Sequence, residues 1–297
     1  MNIIVFGGAG VLGRAITDSL RQAGHSVTTA GRSGCDVAVD FRYDTTPEAF
    51  AELLQGANIV VNAVGVLIER GDNRFASVHV SAPAALFAAC AKARVARIVH
   101  ISALGVGTGI PGAYMASKLA AEQALQANPV DYAIVRPALL VDDASPSTRL
   151  FKFLASLPVI GLPGLLHPGA SRLAPIRVQD VAQAVANLCK HPKALRRTIE
   201  LAGPETLSYR DLLAGFRRAA GKGPALWLPT PWWLMHLSAW LAAYLPQNNV
   251  FSRDTVRMLQ AQCLPAHNAA SSWLGHMPEP VLALVQIKQD ATNNIAI

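Results

Sequence analysis

Short apolar runs alternate with stretches of helical period through the first half of the chain. The runs are Asn2–Phe6, Ser26–Ala30, Asn58–Ala63, Arg97–Ser102 and Asp131–Arg136; the helical patterns fall near 11–23, 47–55, 75–94 and 114–127. This β-α-β-α order predicts a parallel sheet covered by helices on both faces. Right-handed crossovers then make it a Rossmann-type, doubly wound α/β fold.

After Pro137 the pattern loosens. Phe153–Ser171 has no Asp, Glu, Lys or Arg and carries three prolines, so it reads as an apolar loop or cap with short helical pieces. Pro175–Val178 returns to a strand, Asp180 opens a helix to about Lys190, and a strand follows near Thr198–Leu201. Ser208-Tyr209-Arg210-Asp211 is a capping signature for a helix to about Ala220. Gly223–Ser252 is again free of charge, and its core Trp232–Leu245 is bounded by prolines. A spanning helix needs about 20 apolar residues. The segment is therefore read as a buried helix of a small C-terminal domain or as a helix lying on a membrane surface. The expected division is a nucleotide-binding domain over 1–150 and 173–200, a smaller, mostly helical substrate or cap part over 151–172 and 201–285, and a tail over 286–297.

Composition adds limits rather than a function. The chain has 297 residues, 52% hydrophobic, with no low-complexity tract. Cys35, Cys90, Cys189 and Cys263 stand at no metal or redox spacing, and the histidines form no ligand cluster, so no metal is expected. A chain opening on a strand pattern, with such cysteines, points to a reducing, cytoplasmic setting. The net charge of +7 lies wholly in residues 151–297, which carry 14 Lys/Arg against 7 Asp/Glu. That excess suits an anionic lipid or acidic partner, or a plain solvated face; no nucleic-acid motif accompanies it.

The specific chemistry begins at the first turn. Gly7, Gly10 and Gly13 stand between a strand and a helix, with Val11 and Leu12 opening the helix. Glycines there let backbone N–H groups approach a pyrophosphate at a helix N-terminus. Arg32 follows the second strand, where an acidic residue would hold a ribose 2′-hydroxyl; an arginine favours the 2′-phosphate, hence NADP(H), with NAD(H) as the alternative. Asp40 is a candidate for the adenine edge, and the small residues Ala63, Val64 and Gly65 let the chain pass close to a cofactor.

Tyr114 and Lys118 are four apart and share one helix face. The spacing predicts that the lysine lowers the phenol pKa towards neutrality, so that Tyr114 moves a proton at a substrate oxygen. Ser102, at a strand end, is placed to bond the same oxygen.

Val99–Gly105, Tyr114–Lys118, Arg136-Pro137 and Pro175–Val181 together resemble the short-chain dehydrogenase/reductase superfamily, in its extended or atypical branch. Within it the chain is most similar to the group around the nucleotide-binding accessory subunit of complex I and its bacterial relatives. The resemblance implies a Ser102–Tyr114–Lys118 site, with Tyr114 and Lys118 also touching the cofactor, and nicotinamide contacts near Pro137, Ala138 and Leu139. It also places His79 at the cofactor site where many members have an asparagine. Three functions follow as expectations. The first is an oxidoreductase acting on a carbonyl/alcohol pair of an apolar, quinone-like or lipid-like substrate. The second is a nucleotide-binding assembly protein docked to a membrane complex, and the third a nucleotide-sugar epimerase or dehydratase. Peripheral contact with a membrane through 223–252 is part of the second. The oligomeric state has no sequence signal.

Overall fold

The computed structural model describes residues 1–167, 169–242 and 251–282. The chain divides into two units: one of residues 1–137, 178–201 and 266–276, the other of 138–177, 202–265 and 277–297.

The first unit is built on an all-parallel sheet. Its strands are β1 (Asn2–Phe6), β2 (Ser26–Gly31), β3 (Val37–Ala38), β4 (Ile59–Asn62), β5 (Arg97–Ile101), β6 (Asp131–Pro137) and the strand Arg197–Leu201. The order across the sheet is Arg197–Leu201, β6, β5, β4, β1, β2, β3. The order reverses at β1, which pairs with β2 on one side and β4 on the other. Ligands of such sheets bind beyond the strand C-termini at that switch point.

The helices are α1 (Val11–Gln22), α2 (Glu48–Ala51), α3 (Ala82–Lys92), α4 (Ala113–Gln126) and Val178–Lys190, with a short one at Ala270–Leu274. Ile4, Phe6, Val60, Ile98 and Ile134 pack with Leu86 and Phe87 of α3 and Leu125 of α4. Phe6, Phe41 and Phe50 close that layer with ring centroids 5.8 Å apart. On the other side α1 packs along Val178–Lys190. The helix expected over 75–94 is interrupted: Ala76–Ser81 is a π-helical turn that runs into α3. Pro83 lacks an N–H and its ring would crowd the carbonyl of His79, so the wider turn relieves that clash.

The second unit is mostly helical, as expected, with short strands besides. It has four helices, Pro146–Ser156, Tyr209–Ala219, Trp232–Ala242 and Arg253–Ala261, but also three two-stranded ribbons among the described residues. The expected apolar loop over 153–171 contains the strand Val159–Pro163, which pairs in parallel with Leu226–Thr230. That partner is remote in sequence, so neither strand shows locally. Ser208 caps its helix as expected, accepting from the Asp211 N–H. The boundary falls at Pro137/Ala138, ahead of residue 150, because Leu140–Val141 leaves the main sheet to pair with Ile176–Arg177. The expected tail 286–297 and Ala243–Leu245 lie outside the described residues.

A buried ion pair holds the first unit's lower edge. The Arg97 guanidinium donates to Asp131 at 2.6 Å and to the carbonyls of Leu188, His191 and Lys193, closing the end of Val178–Lys190. Two histidines, His79 and His100, are 1% exposed in the same unit. Burial holds both neutral, pushing His79 down to about 2.

Two outcomes follow. Arg97→Ala leaves Asp131 without its cation and is expected to cost about 3–5 kcal/mol in urea unfolding. The histidines stay neutral when folded but take up protons below about 6.5 when unfolded, so their contribution is full above that pH and is lost as pH falls. Unfolding free energy is expected to drop by up to about 2.7 kcal/mol per pH unit below pH 6, and by about half that slope in His79→Asn. An unchanged slope in the variant contradicts a neutral His79.

Candidate functional site

β1 ends at Phe6 and the chain turns at once. Gly7 takes φ +80°, a conformation glycine enters without strain, and its N–H donates to Ala30 O at 2.8 Å. Gly10 N donates back to Gly7 O at 2.9 Å. α1 packs so tightly on this turn that a Cβ on Gly13 would lie 2.1 Å from Gly7 O. Gly10 stands at the N-cap with no side chain, which leaves the first N–H groups of α1 open to an anion. Val11, Leu12 and Gly13 form that first turn.

Beside this loop lies a cleft of about 340 Å3. Of the residues expected to hold a cofactor, Gly7, Gly10, Arg32, Asp40, Ala63, Val64 and Gly65 all line it. Asn62 shapes its inner wall, accepting from Val64 N at 3.1 Å just past the end of β4. At the outer end, Asp40 does not present a free carboxylate. Both its oxygens are taken by Arg42, whose guanidinium holds the carboxyl below its usual range. Asp36, after β2, is likewise engaged by the N–H and hydroxyl of Thr29. Arg32 is exposed at the rim, 3.3 Å from Asn73 Oδ1. The outer cleft therefore carries two arginines and no uncommitted carboxylate among its lining residues. Arg42 and Asn73 went unnoticed in the sequence; only the i, i+2 spacing of Asp40 and Arg42 hints at the first.

The second group of expected residues gathers at the ends of β4 and β5. Lys118 Nζ donates to Ile101 O at 3.1 Å, and a Cβ on Gly65 would lie 3.2 Å from it, so the lysine reaches the cleft wall. Burial lowers Lys118 to about 8, with the Glu122 carboxylate pulling the other way. Tyr114, 8% exposed, meets His79 and Phe75 edge-on at 5.7 and 5.9 Å. Its phenol is pushed up to about 12, the reverse of the expected lowering. Desolvation of the phenolate outweighs any help from Lys118.

His79 ties the two groups together. Its Nε2 accepts from Val66 N at 3.0 Å, so Nδ1 carries the hydrogen and donates to Ser117 Oγ at 2.9 Å. Ser117 donates in turn to Tyr114 O at 2.7 Å. Both ring nitrogens are thus spent between the cleft loop and α4, rather than on a cofactor.

Ser102 donates its hydroxyl to Glu122 at 2.5 Å. Arg136 grips the same carboxylate with Nε at 2.9 Å and Nη2 at 2.6 Å. Glu122 was overlooked although Tyr114, Lys118 and Glu122 recur every four residues on one face of α4. Pro137 ends β6, its carbonyl accepting from Leu104 N at 3.0 Å. Ala138 and Leu139 belong to the second unit, where Leu139 packs against the core.

Known proteins align with this chain at both levels. A ceramide reductase of Caulobacter vibrioides is 28% identical over 77% of this chain and 74% of its own length. A mitochondrial protein of Arabidopsis thaliana, NADH dehydrogenase (ubiquinone) 1 alpha subcomplex subunit 9, is 28% identical over 70% of this chain; the chain spans 55% of that relative. An NADPH-dependent quinone oxidoreductase of Escherichia coli superposes with TM-score 0.76 at 16% identity, over 96% of this chain and 99% of the other, a likeness of fold. The profile of the NAD(P)H-binding family matches residues 7–192, from the first glycine of the loop to the end of the first unit's last long helix, and the chain belongs to that family.

Proposed function

We propose that this protein is an NADPH-dependent reductase of a ketone carried by a lipophilic molecule. The observation that supports the reading is the reach of Lys118, one helical turn from Tyr114, to the cleft wall at Gly65. The relative named ceramide reductase, whose substrate class is a lipid, supports the choice of substrate. The open helix N-terminus at Gly10 fits a pyrophosphate, and Arg32 and Arg42 fit a 2′-phosphate.

A reduced nicotinamide held in the cleft would supply the hydride. The chain's own part is proton chemistry. A phenol held near 12 is fully protonated at neutral pH, which suits a proton donor to the oxygen of a ketone under reduction. In this reading Lys118, one helical turn on from Tyr114 and cationic below about 8, offers the positive charge that the phenolate left behind needs. Ser102 stays with Glu122 and positions α4 against β5.

A second reading, a nucleotide-binding assembly protein without turnover, is favoured by that same commitment of the Ser102 hydroxyl and by the complex I relatives. One assay separates them. Tyr114→Phe is expected to lower kcat for NADPH-dependent ketone reduction by about 10²–10⁴-fold with NADPH affinity unchanged. Turnover equal to wild type removes Tyr114 from the chemistry, and no turnover by wild type on any long-chain ketone favours assembly. The kcat of wild type is expected to fall as pH rises through about 8, as Lys118 loses its proton. Arg32→Ala is expected to weaken NADPH by about 10–100-fold in calorimetry while leaving NADH unaffected; equal losses for both nucleotides remove the basis for NADPH preference.

A further inference from the structure

The two charge-free stretches of sequence meet in the second unit. Val159–Pro163 and Leu226–Thr230 form one ribbon, in register Leu226 with Val159 and Leu228 with Gly161. Its inner face, Ile160, Leu162 and Trp227, packs into the unit's core. Its outer face, Val159, Leu226 and Leu228, is also apolar and is exposed. Strands paired in parallel are normally covered on both faces. Thr230 accepts from Gly164 N, and the loop beyond carries Leu165 and Leu166, the latter 90% exposed.

Helix Trp232–Ala242 follows the ribbon directly. Met235 and Ala239 are buried, packing with Val256. Trp233, Leu237 and Leu241 occupy the opposite side and are exposed, Trp233 by 67%. A helix that is apolar on its outer side as well as on its packed side belongs in a core or in lipid. This one has 11 residues, about 16 Å long, against a hydrocarbon layer of about 30 Å, so it does not span. No helix among the described residues is long and apolar enough to cross a membrane.

We infer that this ribbon and helix form a face that lies flat on an anionic lipid membrane. Three observations select lipid over a protein partner. Two tryptophans of the helix, Trp233 and Trp240, are exposed on its outer side, by 67% and 47%, and tryptophan is the residue type that sits at lipid headgroup depth. No Asp or Glu occurs between Asp211 and Asp254. Exposed Arg210, Arg218, Lys222 and Arg253 flank the apolar residues in sequence, and Arg210 stacks over the Trp227 ring at 5.6 Å. Aromatic anchors with flanking positive charge match an interfacial surface, and the positive charge attracts acidic headgroups within a Debye length. The inference stands independently of turnover, and its test needs no substrate.

The test is vesicle flotation of the full chain with phosphatidylcholine alone and with phosphatidylcholine and phosphatidylglycerol in equal parts. Wild type is expected to float with the anionic vesicles at low salt, at least tenfold more than with phosphatidylcholine, and its tryptophan emission to shift to the blue. The double variant Trp233→Glu with Leu237→Glu is expected to lose that binding at least tenfold while binding NADPH as wild type does, which shows an intact first unit. A wild type that stays unbound with both vesicles overturns the inference. So does a double variant that floats equally well. A wild-type dimer in light scattering that the same substitutions dissociate also overturns it, by closing the face between two copies.

Discussion

One buried negative charge organises the site. Glu122 is 1% exposed, and a carboxylate taken that far from water is tolerable only when its oxygens are filled. Ser102 at the end of β5 fills one position, and the fork of Arg136 on β6 fills others. Lys118, one turn earlier on α4, gains part of its charge stability from the same carboxylate. Arg136 extends the chain of charge to Glu200, which accepts from the N–H of Ala266 and so brings the 266–276 segment back to the first unit. Strand ends, helix and returning segment are thereby fixed against one another by a single group whose desolvation they share.

What could be read in advance was what is local. The strands of the main sheet are short apolar runs, and the first turn is glycine-spaced between a strand and a helix, so both declared themselves within a few residues. The π-turn at 76–81 had a local sign too, Pro83, but a proline interrupts a helix in several ways. The ribbon of 159–163 with 226–230 had none, because each strand is defined by its remote partner. The outer cleft was misread for a related reason: Asp40 looks available in sequence, and only geometry shows Arg42 wrapped around it. The Tyr114 pKa failed differently. A nearby lysine and burial act in opposite directions, and residue spacing says nothing about which is larger.

The positive charge illustrates the same limit. Part of it is spent on the protein's own carbonyls. Arg196 donates to the carbonyls of Asn128, Pro129 and Val130. Buried Arg217 closes the end of helix Pro146–Ser156 by donating to Ala155 O and Leu157 O. A guanidinium used this way ties off orphan carbonyls and, where it is buried as Arg217 is, contributes little field at the surface. The net charge of a sequence therefore overstates what a partner would meet, and the exposed arginines and lysines flanking an acid-free stretch matter more than the total.

His79 carries a consequence for descent. Its ring offers one donor and one acceptor, held apart and pointing to Ser117 and Val66. The carboxamide of asparagine offers the same pair. Codons for the two differ in a single base. An exchange of one for the other keeps a donor and an acceptor at this position. The histidine version brings a heavier cost in acid, since an amide has no proton to gain.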